Sequence, residues 1–414
     1  MPLPRPTLTR TQTYRRRRIT FFSSVAVVLS GLVYSLSTGL APVPAVAATL
    51  TQPAALTQAA VAPAWPGFGD GAVGAVGYPG VLASHGDQSP VPIASITKMV
   101  TALVILDAKP MKAGDDGPKI TFTDADVGYY YDALAEDGSV APVVAGMVLN
   151  ERQALTAMLL PSANNYSHSL AVWAYRSQGA YLAAAANWLK DEGLTGTTVT
   201  DTSGISPKSV STPADLIAIG KLVVADPVLS AIVALPTADL PTIGTVANTN
   251  KLLGKHGVDG IKTGTTDEAG ACLLFSADFT VGTREVTLVG VVLGGDTHTE
   301  LNAAIGDLIE SVKPGFREVS LTGAGTAFGS YTTAWGQKAR AVTAKAASAL
   351  VWSDTPITGA VSAKPVPLAD KGDPVGSVDF AVGGQTVSVP LVLDSTLSDP
   401  GFGWRLGNPG KLNG

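Results

Sequence analysis

Residues 92–103 read Pro-Ile-Ala-Ser-Ile-Thr-Lys-Met-Val-Thr-Ala-Leu, with Ile96, Met99, Val100 and Leu103 at helical spacing behind a proline that favours an extended approach. This pattern predicts a buried amphipathic helix with Ser95 in its first turn. A second helix is expected over 149–160, with Leu155, Met158 and Leu159 on one face and Pro161 limiting its length. A third runs through Asn187, Trp188 and Leu189 to Gly193. Thr212 caps a fourth, Pro213 takes its first position, and Leu216, Ile219 and Leu222 continue it.

The texture then changes. Residues 271–277 and 285–293 are β-branched and apolar runs separated by Val281-Gly282-Thr283-Arg284, which predicts a strand meander with Lys262-Thr263-Gly264-Thr265 on its first strand. Residues 302–312 return to helical spacing before Pro314. Upstream, 71–83 suggests a strand and a turn back, punctuated by Gly77, Pro79 and Gly80. The stretch 109–127 is polar and broken, and Tyr129-Tyr130-Tyr131 after it reads either as a surface-packed loop or as the lining of a peptide cleft. From about Ser320 short strand-like pieces dominate, and 378–382 with 386–391 flank Gly383-Gly384 as a hairpin. Residues 320–414 are therefore expected to form a small all-β domain with a structural or spacing role.

The N-terminus has its own pattern. Four arginines, Arg15 to Arg18, precede an apolar run over 19–40 and then Ala45-Val46-Ala47, the order of an export signal, with cleavage expected after Ala47. The alternative is a retained signal anchor, since the run approaches the ~20 residues that cross a bilayer. Either way the rest is expected outside the cytoplasm, at the cell wall or the outer face of the membrane. Residues 48–65 are a low-complexity mix rich in Ala, Pro and Thr, expected to be a flexible spacer.

Composition narrows the function classes. The 414 residues are 46% hydrophobic and 15% charged, enough for two or three domains with real cores. Losing residues 1–47 would take away six arginines and no acidic residue, moving the formal charge from −5 to −11 and arguing against nucleic acid as a partner. Cys272 is the sole cysteine, so no intramolecular disulfide forms, and its apolar neighbours make it a core residue. His85, His168, His256 and His298 show no metal-ligand spacing, and no metal is expected.

Candidate chemistry centres on Ser95 and Lys98. Residues three apart share a helix face, so the Lys98 amine lies beside the Ser95 hydroxyl, and the positive end of the helix favours negative charge developing there. Ser162-Ala163-Asn164 falls in the link after the 149–160 helix, where short polar side chains can face a cleft. Lys262-Thr263-Gly264 follows on a strand, where glycine allows close backbone approach and threonine offers a hydroxyl.

The ordered set Ser-x-x-Lys, Ser-x-Asn and Lys-Thr-Gly is that of penicillin-binding proteins and serine β-lactamases. With Pro-Ile-Ala-Ser-Ile-Thr-Lys, Asn248-Thr249-Asn250-Lys251-Leu252-Leu253 and Asp259-Gly260-Ile261-Lys262-Thr263-Gly264, residues 66–316 resemble the serine D-alanyl-D-alanine carboxypeptidases, the low-molecular-mass penicillin-binding proteins. The resemblance implies an α+β fold: an antiparallel sheet flanked by helices, with an all-helical lobe. It also implies a serine peptidase without cofactor, acting on peptidoglycan stem peptides ending in D-Ala-D-Ala and acylated by β-lactams. Ser95 would be the nucleophile and Lys98 the general base, neutral because of burial and the nearby charge of Lys262. Ser162 would relay a proton to the leaving amine and Asn164 would hold the substrate backbone. Lys262, Thr263 and Thr265 would face the substrate carboxylate beside Gly264, and the backbone N–H groups of Ser95 and Thr265 would meet the oxyanion, at roughly 3 kcal/mol per donor.

Two positions depart from the family pattern. Asn165 stands where an aspartate is common, and Thr299-Glu300-Leu301 stands where many members have an arginine that grips the free C-terminal carboxylate. The second departure brings cleavage of peptide cross-links into view beside removal of the terminal residue. A serine β-lactamase of the large class that deacylates through Glu-x-x-Leu-Asn is disfavoured, because the only glutamate between Asn164 and Lys262 is Glu192, in Glu-Gly-Leu-Thr. The rival outside enzymology is a wall-binding protein that keeps the fold without the chemistry.

Overall fold

The arginine block and the apolar run behind it form one helix, α1 (Arg10–Gly39), in this computed structural model, which describes residues 9–412. The first eight residues of the expected export signal lie outside the described residues. The chain divides into two units: residues 58–318 with 350–354, and a second unit of the remaining described residues, α1 included.

In the first unit the apolar runs expected as a meander build the centre of an antiparallel sheet. Its strands are β1 (Asp70–Ala75), β2 (Ala83–His85), β3 (Val258–Thr266), β4 (Gly270–Val281) and β5 (Arg284–Gly295), in the order β3-β4-β5-β1-β2. Alternation sorts their side chains onto two faces. Cys272, Leu274, Val289, Val291 and Leu293 face one core, while Leu273, Phe275, Ala277, Leu288 and Val292 face another. Each face is covered by helices, which is why the strands read as nearly continuous apolar runs.

The helices take the two sides. Leu301, Ile305, Leu308, Ile309 and Val312 of the C-terminal helix of this unit (His298–Val312) close one core. The other core holds α2 (Thr97–Ala108), which is buried from Thr97 to Leu106. The expected amphipathic stripe is therefore absent, because this helix is surrounded by other elements and buries Thr97, Lys98 and Thr101 along with its apolar residues. Around it stand α3 (Asp124–Ala135), α4 (Glu151–Leu159), α5 (Asn164–Tyr175), α6 (Gln178–Asp191), α7 (Pro213–Ala225) and α8 (Pro227–Val233), with α9 (His298–Val312) across the sheet. The three tyrosines lie on α3, not in a loop: the Thr123 N–H donates to Asp126 Oδ2 at 2.7 Å, a reciprocal cap that starts a helix in polar sequence. Tyr129 stacks on His168 at 3.9 Å between ring centroids, and Tyr131 is exposed.

The second unit carries the expected β architecture. A two-residue strand, Thr49–Leu50, lies at the edge of a sheet with β6 (Ala327–Thr332), β7 (Lys338–Thr343), β8 (Ile357–Ala363), β9 (Pro374–Val382) and β10 (Gln385–Leu393). The order is Thr49–Leu50, β6, β7, β10, β9, β8, and β9 with β10 form the hairpin around Gly383-Gly384. Here the spacer expectation needs correcting. Thr49 pairs with Ser330 and Leu50 with Gly329, the Leu56 N–H donates to the Ile357 carbonyl, and Gln52 Oε1 accepts from the Val361 N–H. Strand addition uses main-chain groups, so a composition of Ala, Pro and Thr does not prevent it.

Candidate active site

The candidate nucleophile sits at a break in regular structure. Ile93 leads into a single 3₁₀ turn, Ala94–Ile96, which runs directly into α2, and Ala94 takes a left-handed φ of 44°. Such a conformation is costly for a residue with a Cβ and persists only where surrounding structure holds it. Part of that hold comes from β3. A Cβ on Gly264 would lie 3.0 Å from the Ile93 carbonyl oxygen, 3.1 Å from the Ala94 Cβ and 3.2 Å from the Ser95 nitrogen. The glycine thus makes room for the turn carrying Ser95, a constraint from within the fold as well as from any substrate.

One helical turn on, the Lys98 amine lies 2.8 Å from Ser95 Oγ and donates to Asn164 Oδ1 at 2.7 Å and to the Ser203 carbonyl at 3.2 Å. In the neutral form two N–H groups serve the amide oxygen and the carbonyl, and the lone pair is left to accept from the Ser95 hydroxyl, which satisfies a side chain with no solvent exposure. Burial holds its pKa well below the ordinary lysine value and the positive charge of Lys262 pushes the same way, while Asp201 opposes them. A neutral amine bonded to a half-buried hydroxyl is the arrangement of a general base and its nucleophile.

Ser162 lies between α4 and α5 with a left-handed φ of 63° and lines one cleft with Ser95. Thr263, Gly264, Thr265, Asn248, Thr249, Lys251 and His298 line it as well, and its volume is about 730 Å³. Lys262 is buried behind this wall, its amine donating to the Thr263 carbonyl at 3.2 Å, and burial lowers its pKa to about 7. Thr263 Oγ1 lies 2.6 Å from Thr249 Oγ1. Thr265 is exposed at the cleft, and its Oγ1 lies 2.7 Å from His298 Nε2.

Asn164 occupies a different place from the other motif residues. It opens α5, its N–H donates to the Ser139 carbonyl at 2.7 Å, and its side-chain oxygen is taken by Lys98. It lines a second cavity of about 450 Å³ with Tyr129, His168, Asp201 and Ser203, on the other side of the Lys98 contacts. Its neighbour Asn165 is buried, with Nδ2 donating to the Ala141 carbonyl at 3.0 Å and Oδ1 accepting from the Ala141 N–H at 3.1 Å. That exchange needs one donor and one acceptor, which an amide supplies and a carboxylate does not.

Three contributors escaped the sequence reading. Ser203 enters through its carbonyl, which no side-chain motif announces. Asp201 fixes that carbonyl by accepting from the backbone of Ser203, Gly204 and Ser206 and from Ser209 Oγ. The stretch Asp201-Thr202-Ser203-Gly204 carries only the signal of an Asx turn. His298 is the first residue of α9, set there by the Thr297 cap on the Glu300 N–H at 3.2 Å. Burial, then the charge of Lys262, lowers its pKa, so the histidine beside the cleft is neutral at neutral pH.

Cys272 is buried in β4, its thiol pushed up to about 11 by burial, with Sγ 3.3 Å from the Ala269 carbonyl, as a core residue should be. Among the described residues no group of three His, Cys, Asp or Glu side chains is placed to hold a metal ion.

The D-alanyl-D-alanine endopeptidase of Pseudomonas aeruginosa is 31% identical over 231 residues, covering 53% of this chain and 69% of the relative. The D-alanyl-D-alanine carboxypeptidase DacC of Escherichia coli K12 is 29% identical over 360 residues, covering 79% of this chain and 83% of the relative. The crystal structure of the Streptomyces K15 DD-transpeptidase superposes with a TM-score of 0.52 at 25% identity, covering 63% of this chain and 98% of that one. A family model described as D-alanyl-D-alanine carboxypeptidase matches residues 78–297, the span that holds the Ser95 turn, the Ser162 link and the Lys262 strand. With the penicillin-binding fold around that span, the chain belongs to the D-alanyl-D-alanine carboxypeptidase family of serine peptidases.

Proposed function

We propose that this protein removes the terminal D-alanine from peptidoglycan stem peptides through an acyl-enzyme on Ser95. The observation that carries the reading is the 2.8 Å contact between a fully buried lysine amine and the Ser95 hydroxyl. As Ser95 Oγ attacks the carbonyl between the two D-alanines, its proton passes to Lys98. The tetrahedral oxyanion is met by the backbone N–H groups of Ser95 and Thr265. Ser162 relays the proton to the departing amine, the C–N bond breaks and D-alanine leaves. Water then attacks the ester as Lys98 again accepts a proton, the acyl C–Oγ bond breaks, and that proton passes from Lys98 to Oγ, which regenerates Ser95 and the neutral amine. The same attack opens a β-lactam ring, where the leaving amine stays tethered and release is slow.

Beside the Ser95 turn, Thr263 and Thr265, with Lys262 buried behind them, receive the substrate carboxylate, and Asn164 acts on the substrate through the lysine it holds. The protein works outside the cytoplasm, with α1 directing export. Incubating the protein with a stem pentapeptide and with a cross-linked dimer, then weighing the products, tests the reading. Loss of one alanine from the pentapeptide, abolished in Ser95→Ala, is expected; an intact pentapeptide in the presence of a protein that binds penicillin covalently would overturn it.

A second reading, cleavage of cross-links, is favoured by His298. Where a permanently charged group would tie the reaction to free C-termini, this chain presents a neutral imidazole bonded to Thr265, with exposed Lys251 as a cation lining the cleft. His298→Arg is expected to lower KM for the pentapeptide severalfold with little change in kcat. Steady-state kinetics checks this, and an unchanged KM removes His298 from carboxylate recognition.

Lys262 also sets a pH dependence. Its lowered pKa of about 7 means that the ammonium receiving the carboxylate is lost as pH rises through that value in the free enzyme. The quantity kcat/KM, which reports the free enzyme, is expected to fall on the alkaline side from about pH 7. In kcat the limb moves higher, because bound carboxylate stabilises the ammonium. On the acid side both quantities fall as Lys98 takes up a proton. A kcat/KM flat from pH 6 to 9 would show that the charge on Lys262 is not used.

A further inference from the structure

The seven residues that a cut after Ala47 would remove with α1 are built into the second unit. Arg405, 8% exposed on α10 (Phe402–Gly407), donates from Nε to the Ala41 carbonyl at 2.8 Å while Nη1 and Nη2 hold Asp399 at 2.6 and 2.9 Å. Val43 is buried. Val46 exchanges both main-chain hydrogen bonds with the buried Val366, at 2.8 and 3.0 Å. A chain starting at Ala48 would leave the Nε–H of a buried guanidinium without its acceptor, Asp399 holding only the other two nitrogens, two main-chain groups of Val366 unpaired and a hole where Val43 sits. An extended linker destined for removal has no reason to satisfy buried partners in this way.

The end of α1 is joined to the same place. Gly39 packs on the Phe402 ring so closely that a Cβ has no room, and Leu40, 72% exposed, caps the helix beside it. Phe402 is exposed on its outer side, and Trp404 packs edge-on to Trp335 at 5.6 Å between centroids. Further back, α1 is unburied over its apolar window, and that run, 19–40, is about 33 Å long at ~1.5 Å per residue, against a hydrocarbon core of ~30 Å. Arg15 to Arg18 precede it, the cationic flank that stays on the cytoplasmic side. One end of a bilayer-length helix is basic, and the other meets apolar Leu40 and Phe402 with two tryptophans, a residue type enriched at membrane–water interfaces.

We propose that α1 is retained as a transmembrane anchor, that residues 41–47 are a permanent part of the second unit, and that the face formed by Leu40, Phe402, Trp404 and Trp335 rests on the outer surface of the lipid bilayer. The occupant of the exposed helix is the hydrocarbon of that bilayer. This inference is independent of the reaction assigned to Ser95.

The test uses the full chain expressed in a bacterium that has signal peptidase. Intact-mass measurement is expected to find an N-terminus before Ala41, with the protein staying on membranes through a carbonate wash and leaving in detergent. A product beginning at or near Ala48, or a full-length chain released by carbonate, overturns the anchor. Reconstitution of the full chain in phosphatidylcholine and phosphatidylglycerol vesicles containing a brominated lipid tests the resting face. Tryptophan fluorescence is expected to be quenched, and the double variant Trp335→Phe, Trp404→Phe is expected to lose most of that quenching. Quenching that is absent in the native chain, or unchanged in the double variant, overturns the placement of this face.

Discussion

Replacing Lys98 by alanine is expected to slow acylation by a fluorescent penicillin about a thousandfold, the scale of a lost general base, without unfolding the protein. The argument rests on where the amine sits. It has no solvent exposure, its N–H groups serve Asn164 Oδ1 and the Ser203 carbonyl, and it lies 2.8 Å from Ser95 Oγ. No other amine or carboxylate is bonded to Ser95 Oγ among the described residues, so bulk water would have to take the proton. The variant removes a buried donor and leaves two acceptors short of it, at about 1–3 kcal/mol each, offset in part because a desolvated amine is also removed. Ser95→Ala sets the zero of the assay, since it keeps the lysine and lacks the nucleophile. Gel labelling over time with circular dichroism melting checks both. Wild-type labelling rates in Lys98→Ala would place the base elsewhere.

Gly264→Val is expected to cost about a hundredfold in kcat/KM for peptide and for penicillin alike, although residue 264 supplies no reacting group. The smallest added side chain already meets the Ile93 carbonyl oxygen, the Ala94 Cβ and the Ser95 nitrogen at 3.0–3.2 Å. Valine branches at that carbon, so the turn must move away from β3, and it carries both the nucleophile and one proposed oxyanion donor. A displacement near 1 Å is enough for a loss of this size. Gly264→Ala should fall between, because its contacts need only a few tenths of an ångström of relief. Measuring acylation and thermal unfolding together separates misplacement from global damage. Full activity in Gly264→Val would mean that the turn does not depend on the strand.

What could be read in advance follows from how each feature is encoded. The pairing of Ser95 with Lys98 was legible because two side chains three apart on a helix must be neighbours. The meander was legible because strands buried on both faces leave nearly continuous apolar and β-branched runs over 271–277 and 285–293. The Ser203 carbonyl was not legible, since every residue has one and only the folded Asp201 turn selects it. His298 was hidden for a related reason: a single histidine gains meaning only when α9 brings it to Thr265. The cap between Thr123 and Asp126 was present in the sequence, yet the polar run around it outweighed that signal. Within the stretch 48–65, expected to be a flexible spacer, the pairing of Thr49, Leu50 and Leu56 was hidden because strand addition at a sheet edge is written in main-chain atoms, which composition does not record.

The buried exchange between Asn165 and Ala141 has a consequence for the wall in which the enzyme would operate. A carboxylate there could take up a proton as the surroundings acidify, altering its bond to the peptide segment that borders the cleft. An amide neither gains nor loses one across that range. The rim bounded by Ser139 and Pro142 therefore keeps its shape while acid collects outside the cell, and Asn165→Asp would couple that shape to acidity.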